Sequence, residues 1–204
     1  MKKEPTKQII FNKPLERILA DVNELPYEIS DNTKIKYQLN LIDHFSKYAF
    51  SYLIENKNAN TIFNCIVDCF VNNGFPEELG TDNGLEFGNK KLKLYLNSKN
   101  IKFIHGRAFQ PRSQGCVERL HRTLKINLVA NKLNDGDNFN LLKANKNILF
   151  HYNNTIHSTT GFKPIEIFYS TSQELFQKVY ENTLNSFKNL NINHTIFSLY
   201  EKVY

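Results

Sequence analysis

Three carboxylates stand at unusual places in this chain of 204 residues. Asp21 lies inside the apolar run Ile18-Leu19-Ala20-Asp21-Val22. Asp82 opens the turn-forming sequence Asp82-Asn83-Gly84 after a short strand-like stretch. Glu118 reads as the start of a helix that follows a segment rich in Gly and Pro. Strand ends and helix starts are places from which residues distant in sequence converge. The chemistry that needs three such groups is phosphoryl transfer assisted by metal ions. Mg²⁺ is a hard cation that takes oxygen ligands. Two ions roughly 4 Å apart activate an attacking oxygen and stabilise a leaving one. Each carboxylate also has an ordinary reading, as a strand-face residue, a turn residue and a helix-dipole partner. The joint pattern, and not any single residue, points to catalysis.

The third carboxylate sits among cations. Residues 107–125 contain Arg107, Arg112, Arg119, Arg122 and Lys125 against one acid, Glu118. If the stretch is helical, Gln114, Glu118, Arg122 and Lys125 fall near one face. Val117, Leu120, Leu124 and Leu128 fall on another. Such a helix packs by one side and offers a metal ligand with phosphate-binding cations by the other.

The positioning elements follow from periodicity. Arg17 to Glu24 reads as a strand, as do Tyr37 to Leu41 with alternating apolar residues and the aromatic run Tyr48 to Ile54. The short link between the last two fits a hairpin. Ile62, Phe63, Ile66, Val67, Phe70 and Val71 recur at helical spacing, stopped by Gly74 and Pro76. Glu77 to Thr81 reads as a strand, Leu92 to Leu96 as part of a helix and Ile101 to Ile104 as a strand. Gly106 to Gly115 reads as a loop, mobile over Gly106 to Ser113 and hinged at its bracketing glycines. Two helices then follow, around Val117 to Leu128 and Leu141 to Tyr152. Strands first, then alternating helix and strand, imply a mixed sheet with helices packed on it. Leu175, Phe176, Val179, Tyr180, Leu184 and Phe187 form one more amphipathic pattern.

Composition excludes several classes. With 41% hydrophobic and 23% charged residues, the chain is of ordinary globular type. A net charge of +6 favours a polyanionic partner. Three cysteines, Cys65, Cys69 and Cys116, form no disulfide framework and no CxxC pair. Cys65 and Cys69 read as small core residues of one helix face. His105, His121 and His157 have no zinc-ligand partner at useful spacing and read as structural. No apolar run is long enough to span a bilayer, so no membrane partner is expected and an intracellular location is.

Longer motifs add a resemblance. Thr81-Asp82-Asn83-Gly84-Leu85-Glu86-Phe87 resembles the second catalytic segment of retroviral-type integrases, and Gln110-Pro111-Arg112-Ser113-Gln114-Gly115-Cys116-Val117-Glu118-Arg119 resembles the third. The 35 residues between Asp82 and Glu118 match that family's D,D-35-E signature. Leu41-Ile42-Asp43-His44-Phe45-Ser46-Lys47-Tyr48 resembles its second-strand segment, and Tyr152-Asn153, His157, Gly161 and Pro164 its segment after the core. Ile18 stands where the family usually has Trp. Asp43 is the competing first carboxylate, but its context matches the non-catalytic segment, so Asp21 is preferred.

The resemblance implies an α/β, RNase H-like fold: a mixed five-stranded sheet flanked by helices. It divides the chain into a leader (1–13), an integrase catalytic core (14–170) and a helical C-terminal extension (171–204). It implies that Asp21, Asp82 and Glu118 are catalytic and bind two Mg²⁺ or Mn²⁺ ions. It implies DNA contacts from Asn83, Arg112, Gln114, Arg119, Arg122 and Lys125, with the 106–113 loop ordering on DNA. The implied activity is DNA 3′-end processing and strand transfer by a polynucleotidyl transferase with endonuclease activity. The implied partners are element ends, target DNA and further copies of the chain, in the nucleus if the source is eukaryotic. Two other readings stay open: a domesticated, catalytically inactive nucleic-acid-binding module, and a bacterial insertion-sequence transposase. The His/His/Cys/Cys zinc domain usual upstream of such cores has no counterpart in residues 1–13.

Overall fold

A computed structural model describes residues 10–30, 33–105 and 111–200, with the side chains of 30, 105, 111–114 and 189–200 left aside. Five strands form one sheet in the order β3-β2-β1-β4-β5. They are β1 (Arg17–Glu24), β2 (Tyr37–Asp43), β3 (Ala49–Ile54), β4 (Glu78–Thr81) and β5 (Lys102–His105). β1 pairs antiparallel with β2, and β2 with β3, whereas β4 runs parallel to both β1 and β5. The expected mixed sheet is therefore present. The antiparallel half is a meander, and the parallel half is reached through helical crossovers, as parallel pairing requires.

Helices cover both faces. On one side α2 (Ala59–Asn73) and α3 (Lys90–Ser98) bury Ile62, Ile66, Phe70, Leu92 and Leu96 against Ile18, Ala20, Leu39, Leu41 and Leu79. On the other, α4 (Pro111–Asp135) and α5 (Leu141–Asn154) bury Val117, Leu120, Leu124, Leu128, Leu141 and Ile148 against Leu19 and Ile42. Asparagines start three of these helices. The side-chain oxygens of Asn58, Asn89 and Asn140 accept from the backbone N–H of Thr61, Leu92 and Lys143. Such caps satisfy donors that the first turn leaves without partners. Ile18, at the position where Trp is usual, is fully buried in the first core cluster.

Two differences from the sequence reading matter. Residues 111–115, expected in a loop, are helical: Pro111 is the first residue of α4. Proline's missing N–H costs nothing there, and its fixed φ suits the first helical position. Gly115 is therefore a helix residue and not a hinge, while the loop residues 106–110 lie outside the described ones. The second difference is two short helices, α1 (Tyr27–Ser30) and α6 (Pro164–Phe168), which the periodicity was too brief to reveal.

The last helix, α7 (Gln173–Tyr200), begins on the core. Phe176 and Val179 pack with Phe45 and Ile167. Asn182 Nδ2 donates to the Thr160 carbonyl. Gly161, beside it, has φ +75°, and a Cβ there would stand 2.7 Å from that same amide nitrogen. Glycine alone meets both demands at that turn.

Strand β3 is one of the two edge strands of the sheet, and α5 closes part of it. Asn153, buried, accepts from Ala49 N–H and donates to Ala49 C=O, each at 2.9 Å. Asn153→Ala leaves a buried backbone donor and acceptor without partners. It should lower unfolding free energy by about 2–4 kcal/mol, as read from urea denaturation. A loss below about 0.5 kcal/mol would show that this clamp is dispensable.

Candidate functional site

The pairing of β1 with β4 positions the first two carboxylates. Ala20 is in register with Thr81 on the parallel neighbour. Asp21 and Asp82 are the next residues along, so Asp21, within β1, lies beside Asp82 just past the carboxyl end of β4. In open α/β sheets this edge is where ligands bind. Side chains alternate along β1: Ile18 and Ala20 enter the α2/α3 core, and Leu19 the α4/α5 core. Asp21 shares the Leu19 face and so looks toward α4.

Helix α4 delivers the third. Val117 and Leu120 are buried against the sheet, which leaves Glu118 on the exposed flank near Asp21. Glu118 is not at the helix start, as the sequence suggested. It is the eighth residue of α4. Its place follows from the packed neighbours and not from the helix dipole.

The electrostatics report the convergence. The Asp21 carboxyl is pushed up to about 6, first by burial, then by the charge of Asp82, and further by Glu118 and Glu86; the hydrogen bond from Val22 N–H opposes these. That bond reaches Asp21 Oδ1 at 2.8 Å. Asp82 Oδ1 accepts from Gly84 N–H at 2.9 Å, which fixes the carboxylate on its own turn. Glu86 is a fourth acid that sequence reasoning quoted but did not assign. Its Oε2 and Asp82 Oδ1 both lie within 2.9 Å of the point where a Cβ on Gly84 would sit. Glycine thus permits two carboxylates to crowd one spot.

This donor set fits a hard divalent cation: oxygen only, several negative charges, and one carboxyl already resisting ionisation for lack of a counter-charge. As the side chains stand, no three His, Cys, Asp or Glu groups among the described residues form a ready-made metal cage.

Asp43 has a different job. It is fully buried, and its carboxylate accepts from Ser46 N–H, Ser46 Oγ–H and Leu15 N–H. Those bonds tie the β2–β3 link to the entering chain, a structural role.

The candidate DNA contacts divide. Asn83 is exposed beside Asp82, and Arg122 and Lys125 are exposed on α4 beyond Glu118. Arg119 is exposed too, but its charge bears on His44, Tyr152 and His157, another flank of the helix. The side chains of Arg112 and Gln114 lie outside the described ones. A cavity of about 450 Å³ between α4 and α5 is lined by Thr123, Asn127, Tyr152 and His157 among others, and contains none of the carboxylates.

His121, read from the sequence as structural, lies beside Asp21. Its Nδ1 stands 3.5 Å from Asp21 Oδ2. Burial holds the imidazole down to about 4, so the ring is neutral at pH 7 and the contact is a close polar approach and not an ion pair. The only available signal was its place three residues after Glu118, which puts both on neighbouring parts of one helix surface.

Burial of Asp21 has a consequence for stability in the absence of metal. Between pH 3.8 and about 6 the folded chain holds the Asp21 proton more tightly than the unfolded chain, so stability falls as pH rises through that window. Asp21→Asn should therefore stabilise the protein in EDTA at pH 7.5, by about 1–3 kcal/mol, and the gain should vanish below about pH 4. Urea unfolding at the two pH values checks this. A gain independent of pH would contradict it.

Comparisons with known proteins agree with this architecture. The family model described as Integrase core domain matches residues 12–111, a span that includes Asp21 and Asp82. The Gag-Pro-Pol polyprotein of Mason-Pfizer monkey virus is 30% identical over 122 residues, covering 60% of this chain and 7% of the polyprotein. A retrovirus-related Pol polyprotein from transposon RE2 of Arabidopsis thaliana is 33% identical over 117 residues, covering 56% of this chain and 8% of that protein. The chain thus spans less than a tenth of the length of these relatives. Among solved structures, a chain of the simian T-cell lymphotropic virus intasome, in complex with PP2A regulatory subunit B56 gamma, aligns over 82% of this chain and 59% of its own, with a TM-score of 0.72 at 18% identity. The HTLV-2 integrase catalytic core domain in complex with magnesium aligns over 77% of this chain and 98% of its own, with a TM-score of 0.64 at 21% identity. Residues 12–111 thus match the integrase core domain, and the chain has the RNase H-like fold of the integrase catalytic cores.

Proposed function

We propose that the chain carries out metal-dependent DNA 3′-end processing and strand transfer. The observation that carries the reading is the β1–β4 register, which sets Asp21 beside Asp82, with Glu118 on the exposed flank of α4. Asp21, Asp82 and Glu118 would hold two Mg²⁺ or Mn²⁺ ions. Bound there, the ions would supply activation of the attacking oxygen and neutralisation of charge on the leaving one. The HTLV-2 core of the same fold was solved in complex with magnesium, which supports the choice of cation.

The protein's own part is positioning and electrostatics. In the first reaction a water oxygen forms a bond to phosphorus near a DNA 3′ end. The bond from phosphorus to the 3′ oxygen of the retained strand breaks; that oxygen keeps the electron pair and takes up a proton, while the released nucleotides carry the phosphate. In the second, the exposed 3′-hydroxyl attacks a phosphodiester of target DNA. One P–O bond forms as another breaks, so no covalent enzyme intermediate is needed. Arg122 and Lys125, exposed beyond Glu118 on α4, would meet backbone phosphates, and Asn83, exposed next to Asp82, would meet DNA there. We assign Arg112, Gln114 and Arg119 to DNA binding from the motif that they share with integrases. The core would span residues 14–170, with 171–204 a helical extension, and the chain would assemble with copies of itself on DNA.

The test is a joining assay with labelled DNA ends, with and without Mn²⁺. Wild-type chain should nick and join only with metal. Asp82→Asn should reduce both reactions by at least about 10³-fold, with an unchanged circular dichroism spectrum. Joining retained by a pure Asp82→Asn preparation would sink the proposal. DNA binding without any nicking by the wild type would favour the inactive binding module instead.

A further inference from the structure

We infer that His121 is a positioning residue for the Asp21 carboxylate, holding it in the orientation that a divalent cation requires. This rests on the metal-binding reading of the site proposed above. Three observations lead to it. His121 Nδ1 lies 3.5 Å from Asp21 Oδ2, with both side chains largely shielded, at 14% and 25% exposure. Asp21 Oδ1 is held from the other side by Val22 N–H at 2.8 Å. The remaining ring nitrogen, His121 Nε2, is buried and has no hydrogen-bond partner.

The orphan nitrogen decides which way round the imidazole works. A neutral ring carries one N–H and one bare nitrogen. If the proton sat on Nε2, that N–H would be buried without an acceptor, and the Nδ1 lone pair would face an ionised carboxylate. If it sits on Nδ1, it donates to Asp21 Oδ2 and only an acceptor is left without a partner. With Asp21 ionised, the second tautomer wins. Each Asp21 oxygen then receives one donor, from Val22 on one side and His121 on the other. A carboxylate has about four acceptor sites, so each oxygen keeps a lone pair for a cation. The plane of the group is fixed because its two donors come from separate elements, β1 and α4. A metal then binds a ligand that is already oriented, which is what outer-shell partners of metal ligands do.

A role limited to filling space predicts different results, and variants separate the two. His121→Asn puts an amide nitrogen where Nδ1 stands, so the donor survives without the ring. His121→Leu and His121→Ala remove the donor, one with and one without comparable bulk. The whole chain is titrated with Mn²⁺ by calorimetry, with free Mn²⁺ followed by electron paramagnetic resonance and no DNA present. The inference expects the Leu and Ala variants to bind Mn²⁺ roughly 10-fold or more weakly, and Asn to stay within about threefold of wild type. In the joining assay the same order should appear in the Mn²⁺ concentration giving half-maximal rate. Wild-type affinity in both the Leu and Ala variants would overturn it. So would an Asn variant as weak as Ala, or a loss that tracks the thermal midpoint in EDTA instead of the presence of a donor. A wild-type chain that takes up no Mn²⁺ would remove the metal site itself and this inference with it, whereas wild-type uptake with unaffected Leu and Ala variants removes this inference alone.

Discussion

Asp21, Asp82, Glu118 and Glu86 repel one another, and the rest of the molecule is arranged so that they cannot move far apart. Asp21, the buried member, resists ionisation first because of its burial and then because of the charge of Asp82. Two features hold the group together. The β1–β4 pairing fixes Asp21 and Asp82 as neighbours, because a one-residue slip would swap the faces of Ile18, Leu19 and Ala20 as well. The apolar contacts of α4 then fix Glu118 relative to the sheet. Burying Val117, Leu120, Leu124 and Leu128 contributes on the order of 1.5–3 kcal/mol per side chain. That is enough to outweigh the repulsion among partly solvated carboxylates.

Helix α4 serves several ends through its periodicity alone. One stripe packs on the sheet. The next presents Glu118 and, one turn on, His121 to Asp21. The solvent side carries Arg122 and Lys125. In the proposed site, the metal ligand, the orienting donor and the phosphate-facing cations would share one rigid element, which would keep their spacing fixed when the substrate arrives. Arg119, one residue from Glu118, is turned toward His44, Tyr152 and His157 and belongs electrostatically to a different neighbourhood.

Much of this was legible from sequence where periodicity and burial coincide. β1 has the bounds read for it around the apolar run that holds Asp21, Arg17–Glu24, and α2 follows its six regularly spaced apolar residues. The gap from Asp82 to Glu118 is a property of sequence alone. What escaped reading did so for physical reasons. Pro111 and Gly115 look like loop residues, yet a proline at the first helical position is favourable, and Cys116 and Val117 are buried on the core side of the same helix. His121 has no motif of its own. Its meaning appears only when β1 and α4 are packed together. Glu86 likewise becomes an acid of the site only because Gly84 leaves room for it next to Asp82.

If mutual repulsion of these carboxylates is the constraint that a cation relieves, the cation must bind where the repulsion is. The most direct measurement is the anomalous-scattering map of a crystal of this chain soaked in Mn²⁺. A manganese peak should appear in contact with the carboxylates of Asp21 and Asp82, with Glu118 at its edge, and should be lost in Asp82→Asn. Saturating Mn²⁺ that leaves those carboxylates bare, or that binds only elsewhere on the chain, would contradict the account.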